Sequence, residues 1–371
     1  MRRGWCAHIR NTPPPSFLRT QESRGGGGQG LHGIIGQGMR CLGGLLLFGL
    51  SVTSQSWAAV DAMHAPGFDQ RTDPDWQAYV RVSGVSGNLN SIGSDTLNNL
   101  MTLWAEGFRR EYPNVKIQIE GKGSSTAPPA LIEGTAQLGP MSRAMKAKEV
   151  DDFEAKFGYA PTVFPVAVDA LAVYVNKDNP IQCLGLGQVD AIFSATRRRG
   201  YPDDISVWGK VGLDGPWQMT RVSLYGRNSA SGTYGFFKKT ALKTGDYKNE
   251  VKEQPGSASV VQGVTEDQGG IGYSGIGYRT SGVRAIALSA DREATCYAPT
   301  FANASSGKYP LARFLRVYVN KVPGKPLPPL VRAFLTYVYS REGQNVVIKD
   351  GYFPLPQRLI AQQTPALVDG P

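Results

Sequence analysis

Apolar residues recur at helical spacing through Leu97, Leu100, Met101, Trp104 and Phe108 until Pro113 ends the run. This predicts an amphipathic helix whose stripe, Trp104 and Phe108 included, faces a core. Val115, Ile117 and Ile119 then alternate with Lys116 and Gln118, the period-two pattern of a strand with one buried face. Residues 136–141 read as a short buried strand, 148–157 as an amphipathic helix, and 162–176 as a long β-branched run interrupted at Pro165. Short helices or turns are expected at 188–193 and 208–210, a half-buried strand at 222–225, and helices at 234–242 and within 251–265, the latter after a loop at Pro255-Gly256. Strands at 269–273, 283–288 and 309–320 and a closing helix at 330–339 complete the pattern, with fraying expected from Gln362. Strands alternating with helices argue for parallel α/β sheets. A crossing into a second lobe is placed around residues 165–169 and a return near 297–300. The expected architecture is α/β, two domains joined by two hinge strands with a ligand cleft between. Residues 88–165 with 297–360 form lobe I and 166–296 lobe II, with an irregular arm at 59–87 and a tail at 361–371.

Three polar loops share one design, each just before a predicted helix: Gly93-Ser94-Asp95-Thr96, Gly123-Ser124-Ser125-Thr126 and Ser231-Gly232-Thr233. The first backbone N–H groups of a helix have no partner inside it, and the helix dipole favours an anion there by roughly 0.3–1 kcal/mol. Arg227 could grip the other side of such an anion with a two-pronged hydrogen bond. Ser142-Arg143, at a strand end, adds a hydroxyl and a second guanidinium. Taken singly, each loop is equally an ordinary helix cap, with Ser94 or Asp95 capping the first helix. It is the set that points to a ligand, because in open α/β sheets ligands sit beyond the carboxyl ends of strands. No loop carries a Walker lysine and no Gly-x-Gly-x-x-Gly follows a strand, so a nucleotide fits poorly. A compact tetrahedral oxyanion could take donors from all sides. Tyr273 either lines the cleft or packs against sheet neighbours.

With 371 residues, 41% of them hydrophobic and 19% charged, the chain has material for two real cores. The net charge is +10, but six Arg and one Glu fall in residues 1–58, leaving 34 basic against 29 acidic residues. No basic block interleaved with aromatics marks a nucleic-acid groove, and Arg197-Arg198-Arg199 reads as a solvated loop. Residues 1–58 read as a leader: Met39-Arg40, an apolar run at 41–50 and Ser56-Trp57-Ala58 make a cleavable secretory signal, with translation starting at Met39. The run is too short for a membrane span of ~20 residues. The mature protein is thus expected in the periplasm or outside the cell. Export leaves Cys183 and Cys296 either as a disulfide or as two buried thiols, too few for a zinc site. The histidines are His8, His32 and His64, all ahead of the folded part. A Ser-His-Asp or Cys-His nucleophile and a histidine-bound metal are therefore excluded there, and no metal or cofactor is expected.

Read together, Gly93-Ser94-Asp95-Thr96, Gly123-Ser124-Ser125-Thr126, Met141-Ser142-Arg143, Val168-Asp169-Ala170-Leu171-Ala172-Val173, Asn179-Pro180, Arg227 with Ser231-Gly232-Thr233, and Tyr309-Pro310-Leu311 fall in a fixed order across residues 88–355. In that order the sequence resembles the periplasmic phosphate-binding proteins of the ABC-type phosphate uptake system, within the type II periplasmic-binding-protein fold. The resemblance implies reversible capture of inorganic phosphate in a closing cleft and delivery to the permease subunits of an importer, by a monomer and without a cofactor. Carried over by position, Ser94, Thr96, Ser124, Arg227, Ser231, Gly232 and Thr233 would donate to the ligand. Asp95, Ser125, Ser142 and Arg143 are counted among the phosphate-binding residues with them. The family often has an Asp after the serine of the Ser142 motif, to accept the proton of hydrogen phosphate; here Arg143 stands there and cannot accept. Asp95 either takes over that role or caps its helix. Asp169 resembles the family's hinge-strand acid, or is a charge satisfied by local backbone donors.

Two other classes are compatible with the residues. A phosphoester hydrolase could use Ser94 or Ser231 with Asp95, but its base would have to be a carboxylate or lysine. A surface or extracellular protein could keep the fold for adhesion, matrix or signalling work.

Overall fold

A computed structural model of the chain describes residues 73–290 and 295–368. The leader read into residues 1–58 and His64 lie outside the described residues. From Asp73 the arm has no regular structure up to the first strand, yet it is tied down: Trp76 Nε1 donates to Leu355 O (3.2 Å) and Tyr79 N to Glu342 Oε2 (2.7 Å).

Strand β1 (Gly87–Ile92) leads through helix α1 (Asn98–Glu111) to the parallel strand β2 (Val115–Glu120). The face of α1 that the periodicity marks is the buried one, and Trp104 Nε1 donates to Gly343 O at 2.8 Å. Helix α2 (Ala127–Ile132) opens with Pro128 and Pro129 in its first turn, where a missing N–H costs nothing. Strand β3 (Gly139–Met141), helix α3 (Ala147–Phe157) and strand β4 (Thr162–Ala170) follow. After Leu171 the chain enters β5 (Ala172–Asn176), β6 (Cys183–Gly185) and α4 (Leu186–Phe193). Then come β7 (Ser223–Arg227), α5 (Gly232–Thr240), β8 (Lys252–Gln254), α6 (Ser257–Glu266) and β9 (Gly270–Ser274). The chain continues through β10 (Val283–Ala285), β11 (Ala287–Ser289), α7 (Phe301–Ser305) and β12 (Ala312–Val319). Helices α8 (Pro329–Tyr339), α9 (Arg341–Lys349) and α10 (Gln357–Val368) close it.

Apart from the parallel pair β6-β11, the strands sort into two groups. In one, β3-β12-β4 form an antiparallel sheet, and a parallel bridge from Ser91 to Leu138 attaches the β1-β2 pair. In the other, the order is β10-β5-β9-β7-β8, with β7 parallel to both its neighbours and β5 antiparallel to its own. The two passages between the groups lie side by side: Leu171 N donates to Leu311 O (3.0 Å), and Tyr309 Oη donates to Leu171 O (3.0 Å). Cys183 and Cys296 form a disulfide, Cα–Cα 6.2 Å, tying β6 to the segment that follows β11.

Several expected elements differ in detail. The long run at 162–176 breaks at Leu171 and not at Pro165, because Pro165 sits opposite Arg316 where the register slips, and a bulge tolerates a residue with no N–H to give. Residues 283–288 divide into β10 and β11, which pair in different sheets. The helix expected within 251–265 follows the loop at Pro255-Gly256 as α6, and what was not expected is the short strand β8 ahead of that loop. The end does not fray from Gln362: α10 runs to Val368, with Leu367 buried. In the triple-arginine run, Arg199 is no solvated side chain, since its Nε and Nη2 donate to the last carbonyls of α5, Ala241 O and Thr240 O.

Candidate functional site

The three polar loops meet. Ser94 Oγ donates to Ser142 Oγ (3.0 Å), Ser124 Oγ lies 3.3 Å from Ser142 Oγ and accepts from Ser142 N (3.0 Å). From the other group of strands, Thr233 Oγ1 comes within 2.8 Å of Thr96 Oγ1 and 3.4 Å of Ser142 Oγ. All five residues are essentially inaccessible to water. Gly232 makes the approach feasible, because a Cβ there would fall 2.7 Å from Ser142 Oγ and closer still to Ser124 Oγ. Ser231 caps α5, its Oγ accepting from Thr233 N (3.1 Å) and Tyr234 N (3.3 Å), which leaves its hydroxyl proton for another acceptor. Ser125 N donates to Ala230 O (3.1 Å), a further bond across the same seam. Hydroxyls from both sides of the molecule, at the start of helical turns, are thus gathered in one dry place.

Arg227, the last residue of β7, is 1% exposed. Its Nη1 donates to Ser257 Oγ (2.7 Å) and pairs with Asp95 Oδ2 (3.0 Å), and its Nη2 donates to Pro255 O (3.0 Å). Its Nε is buried with no hydrogen-bond partner, a donor of a kind that costs roughly 1–3 kcal/mol if left unmet. Burial pushes the Arg227 guanidinium below the ordinary arginine range, and Asp95 opposes that shift. Asp95 does not cap its own turn. Its carboxylate crosses to the other strand group, where Oδ2 also accepts from Ser257 N (2.8 Å) and Ser257 Oγ (2.8 Å), while its carbonyl accepts from Tyr278 Oη (2.9 Å).

This arrangement has counterparts among known proteins. The chain matches the PBP superfamily domain over residues 81–342. It is 60% identical over 287 residues to the phosphate-binding protein PstS of Pseudomonas aeruginosa, covering 77% of this chain and 89% of that one. The chain belongs to the PstS family of phosphate-binding proteins. Identity to PstS of Bacillus subtilis is 28% over 272 residues, 73% of this chain and 81% of that protein. An ABC-type phosphate transport receptor from Vibrio cholerae shares the fold with a TM-score of 0.56 at 20% identity, over 72% of this chain and all of that one.

Within this family fold, the other residues singled out in the sequence take distinct places. Arg143 does not reach the hydroxyl cluster by any hydrogen bond. Its Nη1 and Nη2 grip Glu149 Oε2 (2.7 Å) and Oε1 (2.6 Å), Nη1 also donates to Ala144 O (3.0 Å), and Nη2 to Ser125 Oγ (3.2 Å). Burial alone would raise the Glu149 carboxyl, but the Arg143 hydrogen bonds bring it below the usual carboxylate range. Tyr273 packs as well as contacts: its ring stacks on Phe237 at 3.9 Å, and its Oη accepts from Arg227 N (3.2 Å), so it holds the strand end that carries the arginine. Asp169 is satisfied at long range, by Ile276 N (2.9 Å) and by Arg313. Sequence reading missed Arg313, Ser257 and Tyr278. A signal existed for Arg313, an inward-facing cation between Leu311 and Leu315 in an alternating strand. Ser257 and Tyr278 carry no such mark. A cavity of about 420 Å³ lined by Tyr234, Lys238, Asp246 and Tyr247 lies elsewhere, and none of the buried unpartnered atoms of the described residues lines it.

Proposed function

We propose that this chain is a secreted solute-binding protein that captures inorganic phosphate between its two lobes and hands it to the permease subunits of an ABC-type importer. The observation that carries the reading is the convergence of Ser94, Thr96, Ser124 and Ser142 with Gly232 and Thr233, beside a buried arginine that still holds an unpaired donor. A tetrahedral oxyanion accepts along several directions, and hydroxyls, helix-end amides and a guanidinium supply donors along several directions. In this reading Ser94, Thr96, Ser124, Ser142, Ser231, Gly232, Thr233 and Arg227 face the ligand, Asp95 latches the lobes, and Ser125 and Arg143 brace the second loop.

The names of the relatives and the identity to PstS of Pseudomonas aeruginosa support phosphate as the anion. The protein acts as a monomer in the periplasm, without a cofactor, and the cycle is binding and release with no bond made or broken. Calorimetric titration of the mature protein tests this: phosphate should give saturable heat at one site and raise the unfolding temperature. No heat and no thermal shift at millimolar phosphate would end the reading. Steady release of product from a chromogenic phosphoester, with or without a divalent metal, would move the protein to the hydrolase class.

A further inference from the structure

The hydroxyl cluster has a second guanidinium that none of the loop motifs supplies. Arg313 lies on β12 directly opposite Asp169 on β4, at the end of the ladder where the chain passes between lobes. Both side chains are buried, 2% and 0% exposed. Asp169 Oδ2 accepts from Arg313 Nε (2.9 Å) and ion-pairs with its Nη2 (2.8 Å), which holds the guanidinium from behind. Its forward edge reaches two residues of the cluster from opposite lobes: Nη1 donates to Ser142 O (2.8 Å) and Nη2 to Thr233 Oγ1 (2.9 Å). Phe236 covers it, with the guanidinium carbon 5.1 Å from the ring centroid. Desolvating two charges offsets most of what their attraction returns, so such a pair adds little to stability by itself. A buried cation whose forward edge reaches a carbonyl and a hydroxyl of the cluster from opposite lobes is better explained by what that cluster binds.

We propose that Arg313 is a second anion-binding guanidinium, donating through its Nη groups to the same oxyanion that Arg227 holds, with Asp169 as the residue that positions it. The inference rests on the phosphate-binding reading and adds a donor anchored to the hinge rather than to either moving loop. In consequence the site carries two arginines, each already balanced by its own aspartate, Asp95 or Asp169. It therefore recognises its ligand by a surplus of donors and not by a surplus of positive charge.

The test compares phosphate titrations of the wild-type protein, Arg313→Lys and the double variant Arg313→Gln with Asp169→Asn, which keeps the buried pair neutral and near its original shape. Wild-type protein that takes up no phosphate would defeat the parent reading, independently of Arg313. Given wild-type binding, the double variant should bind at least tenfold more weakly, with Arg313→Lys in between, and the phosphate-induced gain in unfolding temperature should shrink in the same order. A purely structural role would lower the unfolding temperature without phosphate and leave the phosphate-induced gain intact. Binding within twofold of wild type in the double variant overturns the proposal. Should that variant not fold, nitrogen NMR of wild-type arginine side chains decides. Phosphate should move the Nε signals of both Arg227 and Arg313, assigned with the single lysine variants, and movement of Arg227 alone overturns it.

Discussion

Arg143 and Arg227 are the same residue type, both next to serine-rich loops and both buried, yet the structure uses them in opposite ways. Arg143 meets its acid, Glu149, six residues on along the same lobe, and the bidentate pair closes whether or not the lobes meet. Arg227 meets Asp95 from the other side of the seam, and one of its donors remains unpartnered. With both terminal nitrogens held by Glu149, and none of its hydrogen bonds reaching the hydroxyl cluster, Arg143 has little left for a ligand. If the lobes open and close around the ligand, as proposed above, a pair that spans the seam would couple binding to closure.

The contrast is broken most directly at Arg227. Arg227→Ala removes the donor and leaves Asp95 facing Ser257 with one charge uncompensated, a loss of about 3–5 kcal/mol in comparable buried pairs. Phosphate affinity should fall by at least a hundredfold in calorimetry, while the circular dichroism spectrum stays that of a folded protein. Affinity within tenfold of wild type would show that the two arginines are equivalent after all.

Gly232→Ala sharpens the comparison by acting on the seam alone. The added methyl meets Ser124 Oγ and Ser142 Oγ from across the cleft, and overpacking of this kind costs about 1–3 kcal/mol. The effect should fall on the closed form, so phosphate affinity drops roughly tenfold or more. The radius of gyration in phosphate, by small-angle scattering, should stay nearer the phosphate-free value. Unchanged closure in the variant would mean that the seam is formed differently when ligand is bound.

How much of this was legible in the sequence depends on the range of the interaction. The helix α1, the strand β2 and the loops that feed them follow from local periodicity and turn chemistry, and the strand–loop–helix around Arg227 is where the alternation puts it. The partner of each charged residue was not legible, because Asp95 with Ser257 and Asp169 with Arg313 are separated by 162 and 144 residues and are joined only by topology. A capping role for Asp95 was the natural local inference, and a long-range ion pair displaced it. Pro165 misled in the same way: a breaker in isolation, it is carried by a register shift that only the partner strand reveals.

Asp350 supplies a third kind of acid, one whose partner is an amide and not a guanidinium. It accepts from Asn99 Nδ2, and burial pushes its carboxyl up to about 7. A folded value above the unfolded one means that the associated stability is fully present below about pH 4 and is lost as pH rises through about 7. Asp350→Asn mimics the protonated form at every pH. The variant should match wild type near pH 4 and exceed it above pH 8, by on the order of 2 kcal/mol once screening at the partly exposed edge is allowed for. Calorimetric unfolding across that range checks it, and parallel curves for the two proteins would refute it.

The smallest effect on binding is expected at Arg143. Arg143→Ala strands the half-buried Glu149, so stability should fall by about 1–3 kcal/mol. Arg143 touches the second loop only through Ser125 Oγ, and phosphate affinity should change by less than about fivefold. Replacing both partners, Arg143→Ala with Glu149→Ala, should recover part of the stability, because no charge is then left unpaired. A hundredfold loss of affinity in the single variant, restored by neither the double variant nor lysine, would place the guanidinium on the ligand itself and erase the distinction from Arg227.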